Sequence, residues 1–252
     1  MTSTQKTAPQ ALIACEESQR ICIELRSIGI EAYSCDILDC SGGHSEWHIK
    51  QSVEPLLNGK TKFKTCDNTD HSVDNWDLII AHPPCTYLSI AGNSYFYPSG
   101  YPRLAKNDPD LVNSLIERRK ANRENAIQFF MMFTKVSCKH VAIENPIGVM
   151  STVYRKPDCI IQPYQFGAPV SKPTCFWLKG LPALNPTCIV KPKDRIKYPS
   201  GKTDDPWHAE TRKLPPHERA KERSKTFPGI AKAIAKQWGT IILHEWQRGA
   251  SK

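Results

Sequence analysis

The 252-residue chain has no apolar run approaching the length of a membrane span, so no transmembrane segment is expected. Its first ten residues, Met1 to Gln10, are polar and lack the apolar core of an export signal. They read as a loose tail on a cytoplasmic protein. Ten cysteines are present, yet no two stand as C-x-x-C, and the closest pair is Cys35 and Cys40. A zinc site needs ligands clustered in short loops, and disulfides need an oxidising compartment. Reduced thiols and no metal are therefore expected. No H-E-x-x-H pattern occurs among the eight histidines; His44 and His48 are four apart but follow Gly42-Gly43 in a loop. The dinucleotide fingerprint G-x-G-x-x-G is missing. So are internal repeats and low-complexity tracts.

What is present is the composition of a globular protein, with 40% hydrophobic residues, in one large domain or one domain with a small insert. The formal charge is +9 and unevenly placed: residues 185–252 hold 15 Lys and Arg against 7 Asp and Glu. A basic region of this kind either contacts phosphate or forms a solvated surface.

Ala11–Cys15 reads as a first strand, Glu16–Ile28 as an amphipathic helix closed by Gly29, and Ile30–Cys35 as a second strand ending in Asp36. Strand, helix, strand with an acid at the tip is the arrangement of a nucleotide-binding unit, and a lone acid there is also a common turn residue. Phe63–Asp67 reads as a third strand and Trp76–Ala81 as a fourth. Residues 86–108 form a long Gly-, Pro-, Ser- and Tyr-rich loop, placed like a lid. A long helix follows over Leu111–Val136, with Arg118-Arg119-Lys120 on a solvated face. Two further strands, Cys159–Phe166 and Cys175–Lys179, make a hairpin. Residues 183–222 are proline-rich and charged, an irregular insert. A last helix over Ile230–Trp246 docks back on the first domain.

Two strands end abruptly. Asp77-Leu78-Ile79-Ile80-Ala81-His82 runs into Pro83-Pro84 and then presents Cys85. His140-Val141-Ala142-Ile143-Glu144-Asn145 runs into Pro146. Proline lacks the N–H that a strand interior needs, so both strands stop there. If the sheet is parallel, Cys85 and Glu144 emerge at one carboxyl edge, where α/β folds bind ligands. A thiol there is a candidate nucleophile and the acid a candidate proton-transfer partner; the plainer readings are a buried inert cysteine and a surface acid.

In this order, Pro83-Pro84-Cys85, Glu144-Asn145-Pro146 and the basic insert resemble the motifs of the DNA (cytosine-5) methyltransferases, in the small, divergent form common in bacteriophages. The resemblance spans most of the chain as a succession of short motifs. It implies an α/β, Rossmann-like fold with a mostly parallel sheet that binds S-adenosylmethionine. It divides the chain into a catalytic and cofactor domain, 1–182, a small target-recognition region, 183–222, and a returning helix, 223–252. Cys85 would be the nucleophile for carbon 6 of a flipped cytosine and Glu144 its partner on the base. Lys172 stands where the family has arginine, in the turn Phe166-Gly167-Ala168-Pro169-Val170-Ser171-Lys172. The cofactor positions fall on Cys15, Glu16, Ser18, Asp36, Ile37, Asp67 and Pro83, although both glycines of the first loop are replaced. DNA contacts fall on Asn145, Lys172, Lys191, Lys193, Arg195, Arg212 and Lys213. The partner would be double-stranded DNA, bound by a monomer. A modified S-adenosylmethionine donor and a non-catalytic DNA-binding relative are the alternatives. An RNA cytosine methyltransferase fits less well, because the Glu-Asn-Pro partner suits the DNA enzymes.

Overall fold

The computed structural model describes residues 7–57 and 61–250. The chain opens with β1 (Gln10–Ala14), α1 (Arg20–Ser27), β2 (Glu31–Asp36) and β3 (His48–Lys50). Then come β4 (Thr61–Lys64), β5 (Asp70–Val73), β6 (Leu78–Ala81), α2 (Leu104–Asn107), α3 (Pro109–Thr134) and β7 (Val141–Pro146). After α4 (Met150–Val153) follow β8 (Cys159–Ile161), β9 (Thr174–Lys179), β10 (Ile196–Lys197) and β11 (Thr203–Asp204). The chain closes with α5 (Pro206–Arg212), α6 (Pro216–Ser224), α7 (Pro228–Ile234) and α8 (Thr240–Ala250).

Seven strands form one sheet in the order β3-β2-β1-β6-β7-β9-β8. The first five are mutually parallel, and β9 runs antiparallel to both β7 and β8. This is the mostly parallel α/β architecture expected from the sequence. The central strands are buried on both faces, which is why β1 and β6 are continuous apolar runs and not alternating ones. Leu12, Ile79 and Ile143 point into one layer with Phe130 and Phe133 of α3. Ile13, Ile80 and Ala142 point into the other, with Ile21 and Leu25 of α1 and Ile230 and Ile234 of α7. Helix α7 therefore packs against α1. A π-helical turn at Ala235–Gly239 joins α7 to α8.

Several boundaries differ from the sequence expectation, for identifiable reasons. Helix α1 begins at Arg20 and not at Glu16, because Cys15 and Gln19 take left-handed backbone angles (φ 59° and 58°) and the chain turns first. The third strand of the sheet is His48–Lys50; the segment expected in that role pairs instead with β5 as a separate hairpin. The 86–108 loop carries 3-10 turns at Ile90–Phe96 and Pro98–Gly100. Arg119 of α3 does not merely face solvent: it donates to the Thr86 carbonyl (3.2 Å) and lies over Tyr87 and Phe96. Arg123 donates to the Tyr87 carbonyl (2.8 Å) and stacks on Phe96. Residues 1–6 of the expected tail lie outside the described residues, while Gln10 belongs to β1.

Candidate active site at the carboxyl edge of the sheet

Strand order reverses between β2-β1 and β6-β7, so the switch point lies beyond the carboxyl ends of β1 and β6. That is the position at which doubly wound sheets open a ligand crevice. The register sets Ala14 beside Ala81, and Ala81 beside Ile143. Hence the segments Cys15–Ser18 and His82–Cys85 leave the sheet beside Glu144–Pro146, the last residues of β7. Because β9 is antiparallel, it enters where β7 exits, with Glu144 beside Phe176 and Pro146 beside Thr174. Lys172, two residues before β9, arrives at the same edge.

The two proline-stopped loops are fastened together. Asn145 donates through Nδ2 to the Pro83 carbonyl at 2.8 Å. Val149 donates to the Leu88 carbonyl (2.9 Å) and Ile90 to the Ile147 carbonyl (3.2 Å). Gly148 lies so close to Leu88 that a Cβ would collide with the Leu88 carbonyl. Cys85 itself is exposed on this platform. The surrounding protein and the nearby Glu144 carboxylate hold its thiol above the ordinary cysteine value, while Lys172 acts in the opposite sense.

Glu144 is half-buried and takes a hydrogen bond from His82 Nδ1 at 3.3 Å. Burial alone would raise its carboxyl, but His82, by hydrogen bond and charge, and Lys172 outweigh burial and hold it below the ordinary glutamate value. Lys172 Nζ donates to the Arg223 carbonyl (2.8 Å) and stands over the rings of Trp207 and Phe227. Asp205, 2% exposed, fastens this corner: it accepts from the Ser171 and Trp207 amides, both at 2.9 Å. Between His82, Glu144, Lys172 and the segment Ser224–Phe227 lies a cavity of about 20 Å³, room for a single water.

The crevice side differs from the sequence expectation in detail. Glu16 does not face a ligand: its two oxygens accept from the Ile21 and Cys22 amides (2.8 and 3.4 Å) and cap α1 from within. Burial pushes its carboxyl above the ordinary value. Ser18 is buried beneath the Gly42 turn, which Gln19 clamps through His44. An acid thus occupies the helix amides that a glycine loop would offer to a ligand. Cys15 is half-buried beside it, its thiol raised by burial and by Asp36. Asp36 sits at the tip of β2, followed by Ile37 and Leu38, which are 71% and 52% exposed. Asp67 is on the β4–β5 turn, not on a sheet strand, and is consumed by its own turn: Thr65, the Thr69 hydroxyl and the Thr69 amide all donate to it. Those bonds lower its carboxyl to about 2. Pro83 is buried and contributes its carbonyl to Asn145.

The proposed DNA-contacting residues are also sorted by the structure. Asn145 is 1% exposed and cannot reach a phosphate; its work is internal, on Pro83. Lys191, Lys193, Arg195, Arg212 and Lys213 are exposed. Four of them already have partners: Asp194 for Lys191, Thr203 for Arg195, Asp204 for Arg212 and Glu210 for Lys213. Among the described residues no cluster of His, Cys, Asp and Glu could hold a metal ion. Among the described residues no helix is long and apolar enough to cross a membrane.

Neither a protein-family profile nor a curated protein matches the chain. Solved structures do. One is a crystal structure of a protein assigned as a DNA modification methyltransferase encoded within a prophage of E. coli, at 15% identity and a TM-score of 0.40, over 73% of this chain and 52% of that one. Another is the Entamoeba histolytica methyltransferase EhMeth, at 13% identity and a TM-score of 0.36, over 75% of this chain and 58% of that one. The chain spans a little over half the length of each.

His82 and Asp205 were missed by sequence reasoning. His82 directly precedes Pro83-Pro84-Cys85, so its place at the strand tip was available as a signal. Asp205-Pro206 is a local helix-start signal, but the second partner of Asp205, Ser171, is 34 residues away and could not be read from the sequence.

Proposed function

We propose that this protein transfers a methyl group from S-adenosylmethionine to carbon 5 of a cytosine turned out of double-stranded DNA. The observation that carries the reading is the joining of Cys85 and Glu144 on adjacent parallel strand tips, with Lys172 brought to them by β9. Carbon 5 of cytosine is a poor nucleophile. Addition of the Cys85 sulfur to carbon 6 makes the ring enamine-like and carbon 5 reactive. Glu144, oriented by His82, accepts from the exocyclic amine and, when it carries a proton, donates to ring nitrogen 3. Protonation of Glu144 also removes the negative charge that opposes the Cys85 thiolate. Once carbon 5 carries the methyl group, loss of its proton to solvent breaks the carbon 6–sulfur bond, restores the ring and releases Cys85 as thiolate.

Of the cofactor positions, those at the tip of β2 support this reading, whereas Glu16, Ser18 and Asp67 serve the fold. Asp36 is placed for ribose hydroxyls, and the exposed Ile37 and Leu38 for an adenine face. When bound there, S-adenosylmethionine supplies the electrophilic methyl. Residues 183–222 are the DNA-facing region and 223–252 the return to the catalytic body, 1–182. Exposed ion pairs such as Lys213–Glu210 contribute little, so those cations exchange readily for phosphate. Turning out a base costs a few kcal/mol, which such contacts offset. The cavity beside Glu144 is smaller than a base, so Ser224–Phe227 must shift to admit one.

The test is incubation of unmodified DNA with the protein and S-adenosylmethionine, followed by mass spectrometry of the nucleosides. A deoxycytidine one methylene heavier, absent with Cys85→Ser, is expected. Modification of adenine, or of cytosine with Cys85→Ser as well, refutes the mechanism.

A further inference from the structure

Unlike Glu16, Glu17 of the first loop makes no hydrogen bond through its carboxylate. It is 5% exposed, and both its carboxylate oxygens are buried without a hydrogen-bond donor. A buried carboxylate in that condition is costly, and native structures keep one where it serves a ligand or a switch. Glu17 lies in the loop that follows β1, held against the chain beyond β2 by the Ser41 amide, which donates to its carbonyl at 2.8 Å, while the Glu16 amide donates to the Cys35 carbonyl. The nearest cation is Lys221 of α6, whose Nζ lies 3.6 Å from Glu17 Oε2 and whose side chain is 43% exposed. Lys221 also reaches the field of Asp39, beyond β2. The basic DNA-facing region thus places a primary ammonium on an acid of the loop that follows β1.

Resting on the cofactor reading above, we propose that Glu17 receives the α-ammonium of the methionine portion of S-adenosylmethionine, and that Lys221 holds this position until DNA binds. The two groups are chemically alike: each is a primary ammonium seeking a buried carboxylate. They compete for one site. The release is built into the chain order. Helix α6 leads directly into Ser224–Phe227, the segment that must shift before a base can lie beside Glu144. A shift there withdraws α6, and phosphate offers Lys221 a replacement partner. DNA and cofactor then favour each other, by the same factor in either direction.

Calorimetric titration of the full chain with S-adenosylmethionine and with S-adenosylhomocysteine, with and without duplex DNA, tests this. S-adenosylhomocysteine keeps the ammonium and lacks the sulfonium charge. Glu17→Gln should weaken both ligands to a similar degree, by about tenfold or more. Lys221→Ala should tighten both in the absence of DNA and abolish most of the DNA-dependent gain seen in the parent protein. Glu17→Gln removes a buried charge at constant shape, so it should fold at least as well as the parent, which thermal unfolding checks. Loss of S-adenosylmethionine binding alone would assign Glu17 to the sulfonium and overturn the proposal. Unchanged affinity in both variants, with a parent protein that binds, overturns it and leaves the cofactor reading standing. A parent protein that binds neither ligand overturns both.

Discussion

Gly148→Ala should loosen the platform that carries Cys85. A Cβ at position 148 would fall on the carbonyl carbon and oxygen of Leu88, and backbone atoms cannot turn aside as a flexible side chain would. The strands β6 and β7 are fixed by the sheet, so the loops after them must part. Two hydrogen bonds are at stake, Val149 to the Leu88 carbonyl and Ile90 to the Ile147 carbonyl. Overpacking of this kind costs about 1–3 kcal/mol, a fall in Tm of roughly 2–12 °C for a chain of this size. Under the proposed function, a displacement of the Cys85 loop by ~1 Å should slow methyl transfer about a hundredfold. Differential scanning calorimetry and single-turnover transfer to DNA measure the two effects. Gly249→Ala on α8, where a Cβ meets nothing within 4 Å, is the control and should leave both near the parent values. Parent-like Tm and transfer rate for Gly148→Ala would refute the idea that this close approach fastens the Cys85 loop to the Glu144 strand.

Asn145→Ala leaves the buried Pro83 carbonyl without its donor and should destabilise the protein by about 1–3 kcal/mol in urea unfolding, with a larger loss of transfer rate than of DNA affinity. Iodoacetamide should alkylate Cys85 faster at neutral pH in Glu144→Gln, because a charge that raises the thiol is gone; Lys172→Met should slow it, because a cation that lowers the thiol is gone. Glu144 is held below its ordinary value in the fold, so its contribution to stability is present above that value and lost as pH falls through the lowered one. Glu144→Gln should therefore differ most from the parent in Tm at neutral pH and converge with it in acid.

The sequence alone located β1, β2, β6, β7 and β9, whose apolar runs are marked by local chemistry, but not β3 or β5. Apolar runs stopped by Pro83-Pro84 and by Pro146 marked β6 and β7, and the parallel sheet then required Cys85 and Glu144 to share an edge. The apolar stripe of the last helix likewise marked the face that packs on α1, a short-range period matched to one face. Tertiary structure decided which polar groups remain free to act. Glu16, Glu17 and Ser18 are adjacent polar residues with nothing in their order to separate them. Only the fold turns Glu16 inward as a cap for α1, covers Ser18 with the Gly42 turn, and leaves Glu17 with Lys221, which is 204 residues distant. Asn145, expected to meet DNA, instead ties the Pro83 carbonyl, and Asp67 closes its own turn. Local sequence fixes where the backbone must end its hydrogen-bond ladder. The partners of the side chains at those ends depend on long-range strand order, which places β9 and α6 beside residues far away in the chain.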